Sequence, residues 1–147
     1  MILVDTNVLL RFVQPSHSMH SAAVSVVNLL RTRDEILCVV PQVLYEFWVV
    51  ATRPVQSNGL GMSAAAADSD LAKIMQRFRL IRDERAIFEP WRRLVTQYQV
   101  LGKNAHDARL VAAMQRHGIT HIVSFNGDDF KRYPGITAID PANAVAS

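Results

Sequence analysis

The sequence predicts a three-layer α/β fold in which strands alternate with helices. Two short and mostly apolar runs, residues 1–4 and 119–123, have the length and composition of strands buried on both faces of a sheet. Much of the intervening sequence carries apolar residues at helical spacing, and 50% of the 147 residues are hydrophobic, which is enough for a sizeable core. Strands that alternate with helices are typical of layered α/β domains.

Each element follows from its apolar spacing and its end signals. Residues 17–33 predict a helix with an apolar stripe from Ala23 to Leu30, and residues 36–40 predict the second strand. Further along, we expect a helix from Pro41, a loop at 57–62, a helix capped by Ser63 to about Phe78, and a short strand at 80–81. The last elements are helices at 84–98 and from the N-cap Asn104 to Gly118, strands at 119–123 and 136–139, and a loose tail after Pro141.

Acidic residues recur where such a fold would bring chain segments to one edge of its sheet. Asp5 follows the first strand, and Glu46 and Asp107 lie on the apolar faces of their predicted helices. Asp128 and Asp129 lie in the polar turn after the later buried strand. In an open parallel sheet, strand ends and helix starts share the edge where ligands usually bind. We therefore expect these carboxylates to converge.

Carboxylates that point toward a core need a compensating partner, because Asp and Glu are almost never fully buried unpaired. No lysine or arginine is interleaved on these apolar stripes. Taken singly, each acid is explained equally well as a structural N-cap or turn residue. Taken together, converging oxygen ligands without a cysteine favour a site for a divalent cation such as Mg²⁺ or Mn²⁺.

Length and composition are those of a small intracellular enzyme. The length indicates one domain over residues 1–147. The single cysteine, Cys38, lies in the apolar run 36–40, so we expect it to be buried, and no disulfide is possible within one chain. Neither a secretory leader nor a membrane-spanning run is expected. The sequence therefore predicts a cytoplasmic protein.

The basic residues are candidates for contacts with phosphate groups. The net charge of +3 includes the candidate site acids, so the remaining surface is more basic than this value indicates. The arginine-rich stretch 70–93 predicts a phosphate-contacting rim, although ordinary solvated helix faces explain it equally well. Lys103, Arg109 and Lys131 flank the predicted site more closely and are better candidates.

Four short motifs occur in an order that resembles a known family. They are Val4-Asp5-Thr6-Asn7, the run from Pro41 to Glu46, His106-Asp107-Ala108, and the run from Val123 through Asn126 to Asp129 and Phe130. This series resembles that of the PIN-domain ribonucleases, and the subgroup it resembles most is the VapC-type toxins of toxin–antitoxin pairs. The resemblance extends over nearly the full length. It implies a three-layer α/β/α fold with a central parallel sheet of four or five strands.

The resemblance also implies roles for particular residues. Asp5, Glu46 and Asp107 match the family's acidic metal-site positions, and Thr6 or Ser124 matches a supporting hydroxyl. The fourth position departs from the most acidic pattern. Asn126 stands there in place of a common aspartate, which leaves Asn126, Asp128 and Asp129 as alternatives. We take Asp129 as the fourth catalytic and metal-binding acid. We expect the substrate to be positioned by Thr6, Ser124, Asn126, Lys103 and Arg109.

The sequence thus predicts an endoribonuclease that depends on Mg²⁺ or Mn²⁺ and uses a metal-activated water. The resemblance implies an RNA substrate, with tRNA as the leading expectation, a small antitoxin partner and a homodimer. Two alternatives stay open. One is a Mg²⁺-dependent phosphatase with Asp5 as nucleophile, which usually needs a second acid close behind the first. The other is a non-catalytic PIN-like module that binds RNA or a protein.

Overall fold

The computed structural model describes residues 1–146, and for residues 145 and 146 it describes the backbone only. Its strands are β1 (Ile2–Val4), β2 (Leu37–Val39), β3 (Arg79–Leu80), β4 (His121–Val123) and β5 (Thr137–Ile139). Its helices are α1 (Thr6–Phe12), α2 (His20–Thr32), α3 (Pro41–Thr52), α4 (Ala64–Arg77), α5 (Phe88–Gln97), α6 (Asn104–Arg116) and α7 (Pro141–Ala146). No helix in this part of the chain has the length and hydropathy needed to cross a membrane.

The strands form one five-stranded sheet in the order β3-β2-β1-β4-β5, and every neighbouring pair is parallel. Strands β1 and β2 are buried along their whole length, as expected for strands covered by helices on both faces. Helix α1 packs against α2 and α3, while α5 packs against α6. The predicted three-layer α/β/α fold and its parallel sheet are confirmed.

The register of the sheet brings the ends of the central strands level with each other. Val4 pairs with Val123, and Val123 pairs with Ile139. Consequently Asp5 and Ser124, which come directly after β1 and β4, emerge side by side. From β1 the chain adds β2 and β3 on one side of the sheet, and it then adds β4 and β5 on the other side. The position between β1 and β4 is therefore a topological switch point, which is the usual ligand site of an open α/β sheet.

Several element boundaries differ from the sequence predictions. Helix α2 begins at His20 rather than at residue 17, since the ring of His17 accepts a hydrogen bond from the backbone of Met19 in a preceding turn. Asn104 is the first residue of α6 rather than its N-cap, and no side chain caps that helix. The tail after Pro141, predicted to be loose, forms α7 and packs against α2.

The helix predicted at 84–98 is divided. Residues Arg85–Ile87 form a 3₁₀ turn, and α5 begins only at Phe88. Pro90 lies in the first turn of α5, where its missing N–H costs no helical hydrogen bond.

Two other predictions are confirmed. Ser63 caps α4 by accepting a hydrogen bond from the backbone N–H of Ala66, and Cys38 is buried.

Candidate active site

Asp5 is the most buried of the candidate acids, with 8% of its surface exposed. It caps the N-terminus of α1, where its Oδ1 accepts a hydrogen bond from the Thr6 N–H at 2.8 Å. Its Oδ2 accepts a hydrogen bond from the Ser124 hydroxyl at 2.7 Å. Burial raises the pKa of Asp5 to about 6, although these two hydrogen bonds oppose the shift. The carboxylate is therefore firmly oriented and costly to ionise without a nearby cation.

Ser124 is fully buried and connects Asp5 to the loop after β4. While it donates to Asp5, its Oγ accepts hydrogen bonds from the N–H of Asn126 at 3.0 Å and from Nδ2 of Asn7 at 3.2 Å. The Oδ1 of Asn7 in turn accepts the N–H of Phe125 at 3.0 Å. The sequence interpretation assigned no role to Asn7. Its place in the motif that begins at residue 4 is the signal that could have identified it.

Glu46 is held in place by donors from two helices. The Thr6 hydroxyl of α1 donates to Oε2 of Glu46 at 2.7 Å, and Nε2 of Gln42, one turn earlier in α3, donates to Oε1 at 3.0 Å. The same Gln42 nitrogen donates to the carbonyl oxygen of His106 at 2.8 Å. Gln42, which the sequence interpretation did not single out, therefore connects Glu46 to the backbone immediately before Asp107.

Asp107 lies in the first turn of α6 and is partly buried. Its pKa is raised to about 7, chiefly by burial. The negative charges of Asp129, Asp5 and Glu46, in that order, raise the pKa in the same direction. A carboxyl group whose pKa is raised by three other carboxylates lies within their common field. The charges of Asp129, Asp5 and Glu46 therefore act on Asp107 through space, while convergence of the four acids into one metal site stays a prediction.

None of these four carboxylates forms an ion pair with a lysine, arginine or histidine within the part of the chain that is described. Two acids outside the cluster are paired. Asp128 contacts Lys131 at 2.6 Å, and Asp83 contacts Arg109 at 3.1 Å. The cluster therefore has no direct ion pair, although the positive charge of Arg132 acts to lower the pKa of Asp107.

The three polar candidates of the turn 126–130 are all exposed but differ in their contacts. Asp129 contributes to the raised pKa values of both Asp5 and Asp107. The side chain of Asp128 is 86% exposed and is paired with Lys131. Asn126 is exposed, and its backbone N–H is bound to Ser124. Of the three, Asp129 is the one whose charge acts on the other acids.

The candidate phosphate-binding residues lie on two sides of the acids. Lys103 and Lys131 line a cavity of about 730 Å³ together with Asn126 and Asp129. Arg109 lies on the other side, where its Nη1 donates to Oε1 of Gln42 at 3.4 Å and its Nη2 donates to Asp83 at 3.1 Å.

The donor set suits a hard divalent cation, since it consists of carboxylate oxygens without cysteine or histidine. The carboxylates also lack cationic partners. Across residues 1–146, however, no three Asp, Glu, His or Cys side chains are already gathered closely enough to coordinate an ion. The residues therefore fit a metal chemically, while binding would draw their side chains together against the hydrogen bonds from Thr6, Ser124 and Gln42.

Comparison with protein families gives one match, which is to the PIN domain and covers residues 2–136. The chain belongs to the PIN domain family. The match extends from β1 to the residue before β5, so it includes every element that carries an acid of the cluster.

This PIN domain resembles solved structures over nearly its whole length. VapBC2 from Rickettsia felis, bound to a promoter DNA fragment, has a TM-score of 0.72 at 16% identity, covering 95% of this chain and 98% of that one. DNA-bound VapBC from Salmonella typhimurium has a TM-score of 0.69 at 14% identity, covering 96% and 99%. VapC20 from Mycobacterium tuberculosis, a toxin that cleaves the sarcin-ricin loop, has a TM-score of 0.64 at 20% identity, covering 89% and 94%. The sequence has no significant match among curated proteins.

Proposed function

We propose that this chain, as a single PIN domain over residues 1–147, is a divalent-metal-dependent endoribonuclease and the toxin of a toxin–antitoxin pair. The observation that carries the proposal is the cluster of four carboxylates without cationic partners at the switch point of a PIN-type sheet. Two of these groups have pKa values raised to about 6 and about 7, chiefly by burial and further by the charges of the other acids, and acids perturbed in this way are frequent at functional sites.

Asp5 and Asp107 would hold Mg²⁺ or Mn²⁺ directly, with Asp129 completing the acidic set. A bound divalent cation would activate water at neutral pH and neutralise charge on the phosphoryl oxygens. Glu46 would orient the attacking water and accept its proton. Thr6 and Gln42 keep the Glu46 carboxylate in position, and Ser124 does the same for Asp5. Attack by water leaves a 5′-phosphate and a 3′-hydroxyl, and the reaction does not need the 2′-hydroxyl of the RNA.

Cationic and amide groups on both sides of the acids would hold the RNA backbone. Lys103 and Asn126 line the cavity of about 730 Å³ together with Asp129. Arg109 lies near the acids because it donates a hydrogen bond to Gln42. Contacts of lysine and arginine with phosphates supply affinity and register for a nucleic acid. We expect a structured RNA as substrate, with tRNA as the first to test.

A small antitoxin would inhibit the enzyme, as the resemblance to VapC-type toxins implies and as the VapBC complexes among the similar structures support. Insertion of an antitoxin arginine among the acids would supply the missing cation and form charge-assisted hydrogen bonds. Co-expression with the product of a short neighbouring gene, followed by co-purification and loss of RNA cleavage, would test this role.

The chain would act as a homodimer. Helix α3 leaves Tyr45 66% exposed and Val49, one turn later, 56% exposed, and Val55 after the helix is 68% exposed. Burial of this apolar strip against a second copy would stabilise a dimer. Light scattering measures the mass of the wild type and of Val49→Asp and so tests the interface. We expect a dimer for the wild type and a monomer for Val49→Asp.

A phosphatase with Asp5 as nucleophile fits the structure poorly. Both oxygens of Asp5 accept hydrogen bonds from the protein, and the side chain is almost fully buried. Residue 7 is Asn, so the second acid close behind the nucleophile is missing. A non-catalytic module would not need three other carboxylates whose charges raise the pKa of Asp107.

One experiment separates these functions. Purified protein is incubated with total RNA, with isolated tRNA and with a small phosphoester, each with Mg²⁺ or with excess EDTA, and new 5′-phosphate ends are mapped by ligation. We expect metal-dependent cleavage of RNA alone, abolished in Asp107→Asn. Cleavage that persists in EDTA or in Asp107→Asn would end the metal-nuclease proposal, and turnover of the small ester would favour the phosphatase.

A further inference from the structure

A second cavity, of about 430 Å³, opens between the 3₁₀ turn at 85–87, helix α5 and the start of helix α6. Phe88 and Trp91 form its aromatic wall, with their ring centroids 5.8 Å apart. The indole N–H of Trp91 donates to the carbonyl oxygen of Ala105 at 2.8 Å, which fixes this wall to α6. Phe88 leaves 59% of its surface exposed. The cavity therefore offers an open aromatic ring on a rigid support.

The edge of this cavity is cationic. Arg85 and Arg109 both line it, and Arg85 forms no ion pair with any residue that the structure describes. The one acid in the lining, Glu84, is already paired with Arg116 at 2.6 Å. A ligand for this cavity would thus combine a flat face for the ring with negative charge for the guanidinium groups.

The aromatic cavity is joined to the acidic site by a short series of hydrogen bonds. Arg109 donates to Gln42 at 3.4 Å, and Gln42 donates to Glu46 at 3.0 Å. His106 lines the cavity and immediately precedes Asp107 in α6. A polymer whose phosphate lies over the acids would therefore carry its neighbouring units past this cavity.

We propose that the aromatic cavity binds one unpaired base of the RNA substrate, stacked on Phe88, while Arg85 and Arg109 contact the adjoining phosphates. The inference rests on the proposed nuclease function and specifies the form of its substrate. The base must be unstacked from its neighbours, so cleavage occurs in a single-stranded segment or loop. Aromatic stacking accepts every base, and arginine beside the ring adds attraction for the phosphate. An apolar peptide would leave Arg85 without a negative partner, whereas a phosphate could contact Arg85 and share Arg109 with Asp83.

Binding without catalysis is the first test. In a Trp48→Phe background, Trp91 reports on the cavity through its fluorescence, and excess EDTA prevents cleavage. The probes are short single-stranded RNA oligonucleotides and the same sequences in a duplex. We expect saturable quenching by the single strands, about tenfold weaker binding in Phe88→Leu, and binding within about twofold of the parent in Phe88→Tyr. Met75→Ala, which truncates an exposed apolar side chain on α4, should leave binding unchanged.

Phe88→Leu keeps the apolar character and removes only the stacking face. Equal RNA binding by Phe88→Leu and the parent would overturn the proposal and would favour an apolar peptide as the occupant. Arg85→Gln provides a second, independent variant, for which we expect several-fold weaker binding and a salt dependence shallower by about one charge. Unchanged salt dependence would also count against the proposal.

The outcomes distinguish this inference from the proposed function. If the parent cleaves RNA and Phe88→Leu cleaves it with the same kcat/KM, the base site is wrong and the nuclease stands. If the parent binds single-stranded RNA through Phe88 but cleaves nothing with Mg²⁺ or Mn²⁺, the nuclease is wrong and the base site stands.

Discussion

The hydroxyl of Thr6 donates to Oε2 of Glu46 at 2.7 Å, joining two side chains that lie 40 positions apart in the sequence. Thr6 is 8% exposed, so little water competes for this bond. The bond keeps the Glu46 carboxylate facing the site of Asp5 rather than solvent. In a site that works by positioning, a small displacement of one carboxylate is expected to reduce the rate strongly.

Thr6→Val should lower kcat by about tenfold, because it preserves the side-chain shape and removes the donor to Glu46. KM should change little, since the Thr6 hydroxyl is buried and donates to Glu46, so it is not free to contact the substrate. The free energy of unfolding should fall by about 1 kcal/mol, the usual value for one such hydrogen bond. Steady-state kinetics and urea denaturation measure these effects. Thr6→Ser is the control and should retain the activity, whereas full activity in Thr6→Val would show that this bond is dispensable.

Gln42→Met should impair two acids together. Its amide nitrogen donates both to Glu46 and to the carbonyl oxygen before Asp107, and Met has a similar length but no donor. We expect a loss of about 1–3 kcal/mol in stability and at least a tenfold loss in kcat. Gln76→Met, at an exposed position of α4, is the matched control. Comparable effects of the two substitutions would contradict a specific role for Gln42.

The fourth position of the site is tested by three substitutions in the turn after β4. Asn126→Asp should tighten metal binding, because a carboxylate holds a divalent cation more strongly than an amide does. Asp129→Asn should reduce activity substantially, whereas Asp128→Asn should have little effect, since Asp128 is exposed and paired with Lys131. Titration of Mg²⁺ against cleavage rate decides among them. Loss of activity in Asp128→Asn but not in Asp129→Asn would reverse our assignment of this turn.

The metal-free protein should lose stability as the pH rises from about 4 to about 7. The folded-state pKa values of Asp5 and Asp107 are raised, so the folded protein binds more protons than the unfolded chain in this window, and its stability falls with pH. For the buried Asp5 alone, a shift of this size corresponds to about 3 kcal/mol. Thermal unfolding in EDTA from pH 5 to pH 8 measures the slope.

Substitution should change that slope in a defined way. Asp107→Asn removes one of the two raised groups and relieves repulsion on Asp5, so it should flatten the slope and make the metal-free protein at pH 8 equally or more stable. Asp128→Asn should leave the slope as it is in the wild type. A wild-type stability that rises with pH across this range would show that the acids are not mutually destabilising.

Much of the scaffold could be predicted from local patterns. The run before Asp5, the proline at the start of α3, the Ser63 cap and the glycine after α6 are short-range signals, and the strands and helices occur close to where these signals place them. The start of α6, which no side chain caps, was less predictable. The tail after Pro141 is helical because Asp140 accepts a hydrogen bond from the Ala142 N–H at its start and because it packs on α2. The sequence interpretation overlooked this Asp-Pro start signal.

The sequence by itself determined that Asp5 and the turn holding Asp128 and Asp129 emerge at the carboxyl edge of the sheet, because residues that follow a buried strand must emerge at that edge. Only the tertiary structure decided how they are held. The contacts of Asn7 with Ser124 and of Gln42 with the backbone before Asp107 span 117 and 64 positions respectively. Such contacts depend on strand order and helix packing rather than on local spacing. The periodicity of the sequence indicates on which side of a helix or strand a residue lies. Contacts between two such elements are fixed only when the chain folds.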